Sequence, residues 1–159
     1  VHAPTEELDR HARTLAAVLP EAEPVLDRIR SLVGEAEVAT DLVPVHGDFH
    51  DDQLLVVDGK VTGVLDVDGA GGGSRADDLG TMLGHLLNRE ADVALAPYSE
   101  YVTRTADLLL SGPGRQAVVR ETVATMVGLA TGPYRVQEDQ WQERTLARLA
   151  VAEQWARSM

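Results

Sequence analysis

The chain has 159 residues, a formal net charge of -12 and an isoelectric point near 4.7. One domain of that length can bury roughly two-thirds of the surface its unfolded chain exposes, and the lack of cysteine removes disulfide frameworks, thiolate zinc sites and cysteine nucleophiles. The acidity would repel phosphate backbones and excludes nucleic acid as the expected partner. With no apolar run of roughly 20 residues, and Glu6, Glu7 and Asp9 where a secretion signal would carry positive charge, the expectation is a cytoplasmic protein without a membrane partner.

The first segment, PTEELDRHARTLAAVLP, places Leu8, Ala12, Leu15, Ala16 and Leu19 on one helical face, with Thr5 as the expected N-cap and Pro20 as the stop. A second helix is expected from about Pro24 through Val25, Leu26, Ile29, Leu32 and Val33 to a C-terminal Gly34. Residues 35 to 41 read as a polar connection. LVPV then leads, as a short extended piece, into VHGDFHDDQ, which packs two histidines and three aspartates into Val45 to Gln53. Two β-rich runs flank Asp58-Gly59 and predict a hairpin, whereas VDGAGGGSRADD carries too many glycines for a regular element and reads as a loop. From Asp77 onward the pattern is helical, over about 77 to 89, 97 to 111, 115 to 131 and 137 to 157. No internal repeat is present. The expected class is α+β, mostly α-helical, with one small sheet, and the expected units are leading helices (1–44), the two polar loops with their hairpin (45–80) and a helical remainder (81–159).

The hairpin should bring the start of its first strand, near Gln53, beside the end of its second, near Asp66. His46, Asp48, His50, Asp51, Asp52, Gln53, Asp66 and Asp68 would then share one neighbourhood, with more carboxylates than tolerate one another without a cation. A divalent-metal site follows; oxygen donors favour magnesium or manganese, and the histidines keep zinc or iron open. Other signals are weaker. GAGGGS lacks the third glycine of a dinucleotide fingerprint, and no Walker lysine exists, the sole lysine being Lys60. His85, in LGTMLGHLL, reads as a core-edge histidine rather than a ligand, for want of a partner at metal spacing, and Trp141 and Trp155 read as core or as a docking face.

HGDFHDDQ resembles the catalytic loop of the aminoglycoside phosphotransferase (APH) family of the protein-kinase-like superfamily, whose pattern is His-Gly-Asp, four residues, then Asn. A second motif agrees: the family carries an aspartate after the next strand, a glycine five residues on and an Asp-Leu pair twelve residues on, and this chain has Asp66, Gly71 and Asp78-Leu79. The resemblance implies a kinase C-terminal lobe in which Asp48 is the catalytic base and Asp66 a ligand of the magnesium that bridges ATP or GTP phosphates, manganese being the alternative. Gln53 stands at the position of the family's metal-binding asparagine, one methylene longer. The resemblance further implies that His46, Gly47 and Asp78 support the loop. His50 is read either as a brace or as a substrate contact, and Asp51, Asp52 and Asp68 as accessory carboxylates, Asp52 departing from the family's usual small residue.

The family's nucleotide-binding N-terminal lobe, with its strand lysine, finds no counterpart in this sequence, and Val1 is not an initiating methionine, so a fragment, a processed product or an excised domain is expected, with a parent protein that supplies the lobe as the favoured case. In that parent the expected function is ATP- or GTP-dependent transfer of a γ-phosphoryl group to a hydroxyl of an aminoglycoside-like, polyhydroxylated or amino acceptor, the lobe alone being inactive. Two other classes stay open at this stage: a non-catalytic binding or regulatory module, and a metal-dependent hydrolase. A lobe without its partner should expose apolar surface near the first helix or the hairpin, with a homodimer as one consequence.

Overall fold

The computed structural model describes residues 4–34, 42–93, 95–112 and 114–159; the connection expected over 35–41 lies outside the described residues. The fold is α+β and mostly α-helical. Helix α1 (Pro4–Val18) starts one residue ahead of the cap expected at Thr5 and buries Leu8, Ala12 and Leu15, the face its periodicity marks. A single 3-10 turn, Pro20–Ala22, redirects the chain into α2 (Glu23–Val33), which buries Leu26, Ile29 and Val33. Gly34 ends it at φ +62°, where its N–H donates to the Arg30 carbonyl, a conformation that favours glycine.

Strand β1 (Val43–Val45) precedes the histidine-aspartate loop, and β2 (Leu54–Val57) with β3 (Lys60–Val64) forms the expected antiparallel hairpin. Its turn residues, Asp58 and Gly59, both have positive φ, as a two-residue turn matched to strand twist requires. The glycine-rich stretch departs from expectation. It holds a 3-10 turn, Val67–Gly69, and a strand β4 (Gly71–Gly73) that pairs antiparallel with β1 in the register Val43↔Gly73, Pro44↔Gly72 and Val45↔Gly71. The described residues therefore contain two small sheets, not one. The reason is local space: a Cβ on Gly73 would sit 2.6 Å from Val45 Cγ2 and 2.6 Å from Asp77 Oδ2. Glycine lets the strand close on β1, but having no side chains it leaves no alternation to read.

The helical remainder comprises α3 (Arg75–Val93), α4 (Ala96–Leu109), α5 (Arg115–Leu129), the short α6 (Gly132–Arg135) and α7 (Trp141–Ala156). The helix expected over 137 to 157 begins only at Trp141, because Gln137 and Gln140 take left-handed φ before it. Helix α5 is apolar on most sides, burying Val119, Val123, Met126 and Val127, and it packs against α3, α1 and α7. Gly80 and Gly84 let α3 approach it closely: a Cβ on Gly84 would lie 2.7 Å from Thr125 Cγ2, and one on Gly80 would overlap Glu121. Trp141 and Trp155 are partly buried against this core, Trp141 beside Tyr134 with ring centroids 5.0 Å apart. The 19-residue α3 runs from β4 past the histidine-aspartate loop. Among the described residues no helix is long and apolar enough to cross a membrane.

Candidate active site

The loop between β1 and β2 is built from its ends inward. Asp78, in the first turn of α3, accepts the His46 N–H on Oδ2 at 2.8 Å and the Gly47 N–H on Oδ1 at 3.0 Å. Gly47 sits at φ +88°, and a Cβ there would meet the Gly69 carbonyl oxygen at 3.2 Å, so a side chain is excluded both by backbone conformation and by contact. His46 is buried, and both ring nitrogens are engaged: Nε2 lies 2.7 Å from the Leu65 carbonyl oxygen, and Nδ1 is 3.3 Å from the Asp48 N–H. A carbonyl only accepts and a backbone N–H only donates, so the ring is neutral with its proton on Nε2.

The far end is a 3-10 turn, Asp51–Gln53, closed by the Gln53 N–H donating to the His50 carbonyl at 3.0 Å. The Gln53 carbonyl accepts the Leu65 N–H at 2.8 Å. Both ends of the loop thus bind the peptide groups of Leu65, the residue before Asp66, and this fixes the first polar loop against the second. Asp66 itself is exposed and holds φ +54°, a left-handed conformation unusual outside glycine that re-aims the chain at the end of the hairpin. Asp48 extends into solvent, its side chain 62% exposed, with Oδ2 4.0 Å from His50 Nε2.

Two residues of α3 complete the site, and sequence reasoning missed both. His85, expected as a core-edge histidine rather than a ligand, lies flat on His50, ring centroids 4.0 Å apart and planes 2° from parallel, a contact that sequence spacing does not show. Burial, then the neighbouring His50, pushes the His85 pKa below its ordinary value. Arg89 binds Asp51 Oδ2 at 2.9 Å and Asp52 Oδ2 at 2.7 Å. The hydrogen bond from Arg89 holds the Asp52 carboxyl below its usual range. The cation that those two carboxylates call for is therefore supplied by the chain itself. A signal existed: Asp78, His85 and Arg89 are spaced at seven and four residues, which places them on one helical face.

The eight residues expected to converge divide into subsets. Among the described residues, Asp48, His50 and His85 bring potential ligand atoms within 4.8 Å of one another, as do His50, Asp51 and Asp52, while Asp66 and the exposed Asp68 stand in neither group. Imidazole lone pairs lie in the ring plane, so the parallel rings of His50 and His85 cannot both point at one ion unless a ring turns. Gln53 directs its amide Nε2 toward His50 Nε2 at 3.3 Å, which turns the oxygen end away from that ring. Two polar atoms here, His50 Nδ1 and Asp51 Oδ1, are buried without a hydrogen-bond partner.

The family model described as "Phosphotransferase enzyme family" (APH) matches residues 2–109, about two-thirds of the chain. No curated protein and no solved structure gives a match.

Proposed function

Because the chain belongs to the phosphotransferase enzyme family, with its kinase-like helical lobe, we propose that it is the catalytic and acceptor-binding lobe of an ATP- or GTP-dependent small-molecule kinase. The observation that carries the reading is the placement of Asp48. Its carboxylate is presented to solvent from a loop held by Asp78 and His46 and tied through Leu65 to Asp66. Phosphoryl transfer asks the protein chiefly for such positioning and for charge neutralisation.

In the reaction, the acceptor hydroxyl donates its hydrogen bond to an Asp48 oxygen and passes that proton to it as the acceptor oxygen bonds to the γ-phosphorus. The bond between that phosphorus and the nucleoside diphosphate breaks, and the diphosphate leaves with its electron pair. Gln53 Oε1 and the Asp66 carboxylate are hard oxygen donors on backbones joined at Leu65, a donor chemistry that fits magnesium or manganese. When bound, the ion would neutralise phosphate charge. Acceptors carrying hydroxyls and amines, aminoglycoside-like compounds among them, suit the net charge of -12. A nucleotide-binding lobe would close over the exposed hairpin, where Leu55, Val56, Val57, Val61 and Val64 face water. Against a metal-dependent hydrolase, the stacked rings oppose one ion shared by Asp48, His50 and His85, and Arg89 already binds the carboxylates of the other group, His50, Asp51 and Asp52.

The test is transfer from ATP or GTP across a panel of polyhydroxylated and amino acceptors, using the longer protein that carries this chain with a nucleotide lobe. Asp48→Asn should lower kcat by about 10²–10⁴-fold with the nucleotide KM little changed. A wild type that binds magnesium-nucleotide but transfers nothing, or an Asp48→Asn variant of full activity, overturns the reading.

A further inference from the structure

One face of α3 holds the histidine-aspartate loop at three heights. Asp78 takes the His46 and Gly47 backbone, His85 lies against the His50 ring, and Arg89 binds Asp51 and Asp52. The upper two contacts bear on a turn that is weak by itself. A 3-10 turn of three residues has few internal bonds, and here its first two members are adjacent carboxylates that repel each other when uncompensated. Arg89 cancels that repulsion with one guanidinium, whose planar fork reaches both oxygens at once. His85 in turn fixes the plane of His50, whose Nε2 faces Gln53 Nε2 at 3.3 Å and Asp48 Oδ2 at 4.0 Å.

We propose that Arg89 and His85 are positioning residues: they hold the Asp51–Gln53 turn closed from outside, so that the orientation of the Gln53 amide and the setting of Asp48 are dictated by α3 rather than by the loop. Neither residue is assigned a contact with the transferred group. The catalytic consequence rests on the phosphotransferase reading; the mechanical part does not.

Amide hydrogen exchange on this chain tests the mechanical part directly. In Arg89→Ala the Gln53 amide should exchange about five- to tenfold faster, while the His46 and Gly47 amides, held by Asp78, change less than about twofold. Arg89→Lys keeps the charge but loses the fork and should fall between. His85→Phe should preserve the slow exchange at Gln53 by stacking, and His85→Ala should not. Unchanged exchange at Gln53 in Arg89→Ala overturns the proposal. If that variant does not fold, Asp52→Asn is read instead, with a smaller acceleration expected and an unchanged rate again fatal. In the longer enzyme, Arg89→Ala should raise the magnesium concentration for half-maximal transfer by about three- to tenfold, with kcat at saturating magnesium less affected. An active wild type whose magnesium dependence is untouched by Arg89→Ala sinks the positioning role. A wild type that transfers nothing sinks the phosphotransferase reading alone, since the exchange experiment still decides this one.

Discussion

Asp78 is the side chain on which the loop's first turn depends. Its two oxygens accept the partly buried N–H of His46 and the exposed N–H of Gly47, and bonds to a charged acceptor contribute more than neutral ones. Asp78→Ala is expected to destabilise the chain by about 1.5–3 kcal/mol in urea denaturation, and Asp78→Asn by less, because the amide keeps one acceptor oxygen for one of the two donors. Equal stability of Asp78→Ala and wild type would show that water substitutes for the carboxylate. At this scale the sequence was legible wherever neighbours in space are neighbours in sequence: His46, Gly47, Asp48 and Gln53 form one short string with a recognisable spacing. Arg89 and His85 were not, because the partners they meet come from 35 or more residues earlier and only the packing of α3 under the loop brings them together.

Among the elements, α3 is legible from apolar periodicity and α5 from the glycine-proline punctuation at both its ends, whereas β4 is a strand without side chains whose identity comes only from its pairing with β1. The α3–α5 contact makes two predictions. Gly80→Ala would gain roughly 1 kcal/mol of helix propensity, yet its new methyl group would overlap Glu121 and press on the Thr122 backbone nitrogen at 2.8 Å, which cannot move aside as a flexible side chain can. Overpacking of this kind costs about 1–3 kcal/mol, so a net lowering of the denaturation midpoint is expected; a rise would mean that the helices separate freely. Glu121 lies in the same contact with its Oε2 buried and unpartnered. Burial, then the charges of Asp77 on α3 and Glu7 on α1, pushes its pKa up from 4.5 to about 8. The folded chain then holds a proton that the unfolded chain has released, so this contribution to stability is complete below about pH 4.5 and declines as the pH rises toward 8. Glu121→Gln keeps the shape without the charge. Relative to wild type it should be stabilising by roughly 1–3 kcal/mol at pH 8 and neutral near pH 4.5, the lower end applying because the side chain keeps some contact with water. A difference between the two proteins that does not change with pH would mean that Glu121 ionises freely in the folded state.

For the whole molecule, the helical core and the hairpin obey different logics. The core is closed: Leu15, Leu83, Leu86, Val123 and Leu149 are at most 1% exposed. The hairpin is not, because Val56 and Val61, cross-strand partners, are each 59% exposed, and Leu55, Val57, Val64, Leu65 and Val67 are exposed as well. A two-stranded hairpin is marginal in water without cover, and a contiguous apolar surface of this kind marks an interface. The continuous apolar run Leu54–Val57 reads as a strand that should be covered, so the sequence announces a partner that the described residues do not contain. We propose a nucleotide lobe as that partner in the kinase proposed above, and a second copy in the bare chain. The bare chain should therefore show a sedimentation coefficient that rises with concentration, and Val56→Lys with Val61→Glu should hold it monomeric. The substituted pair keeps opposite charges across the strands and removes no buried contact, so thermal stability at low concentration should stay within about 0.5 kcal/mol of wild type. A wild-type chain that sediments as a monomer at every concentration would leave the hairpin able to stand uncovered, and the nucleotide lobe would then have to be sought against another face.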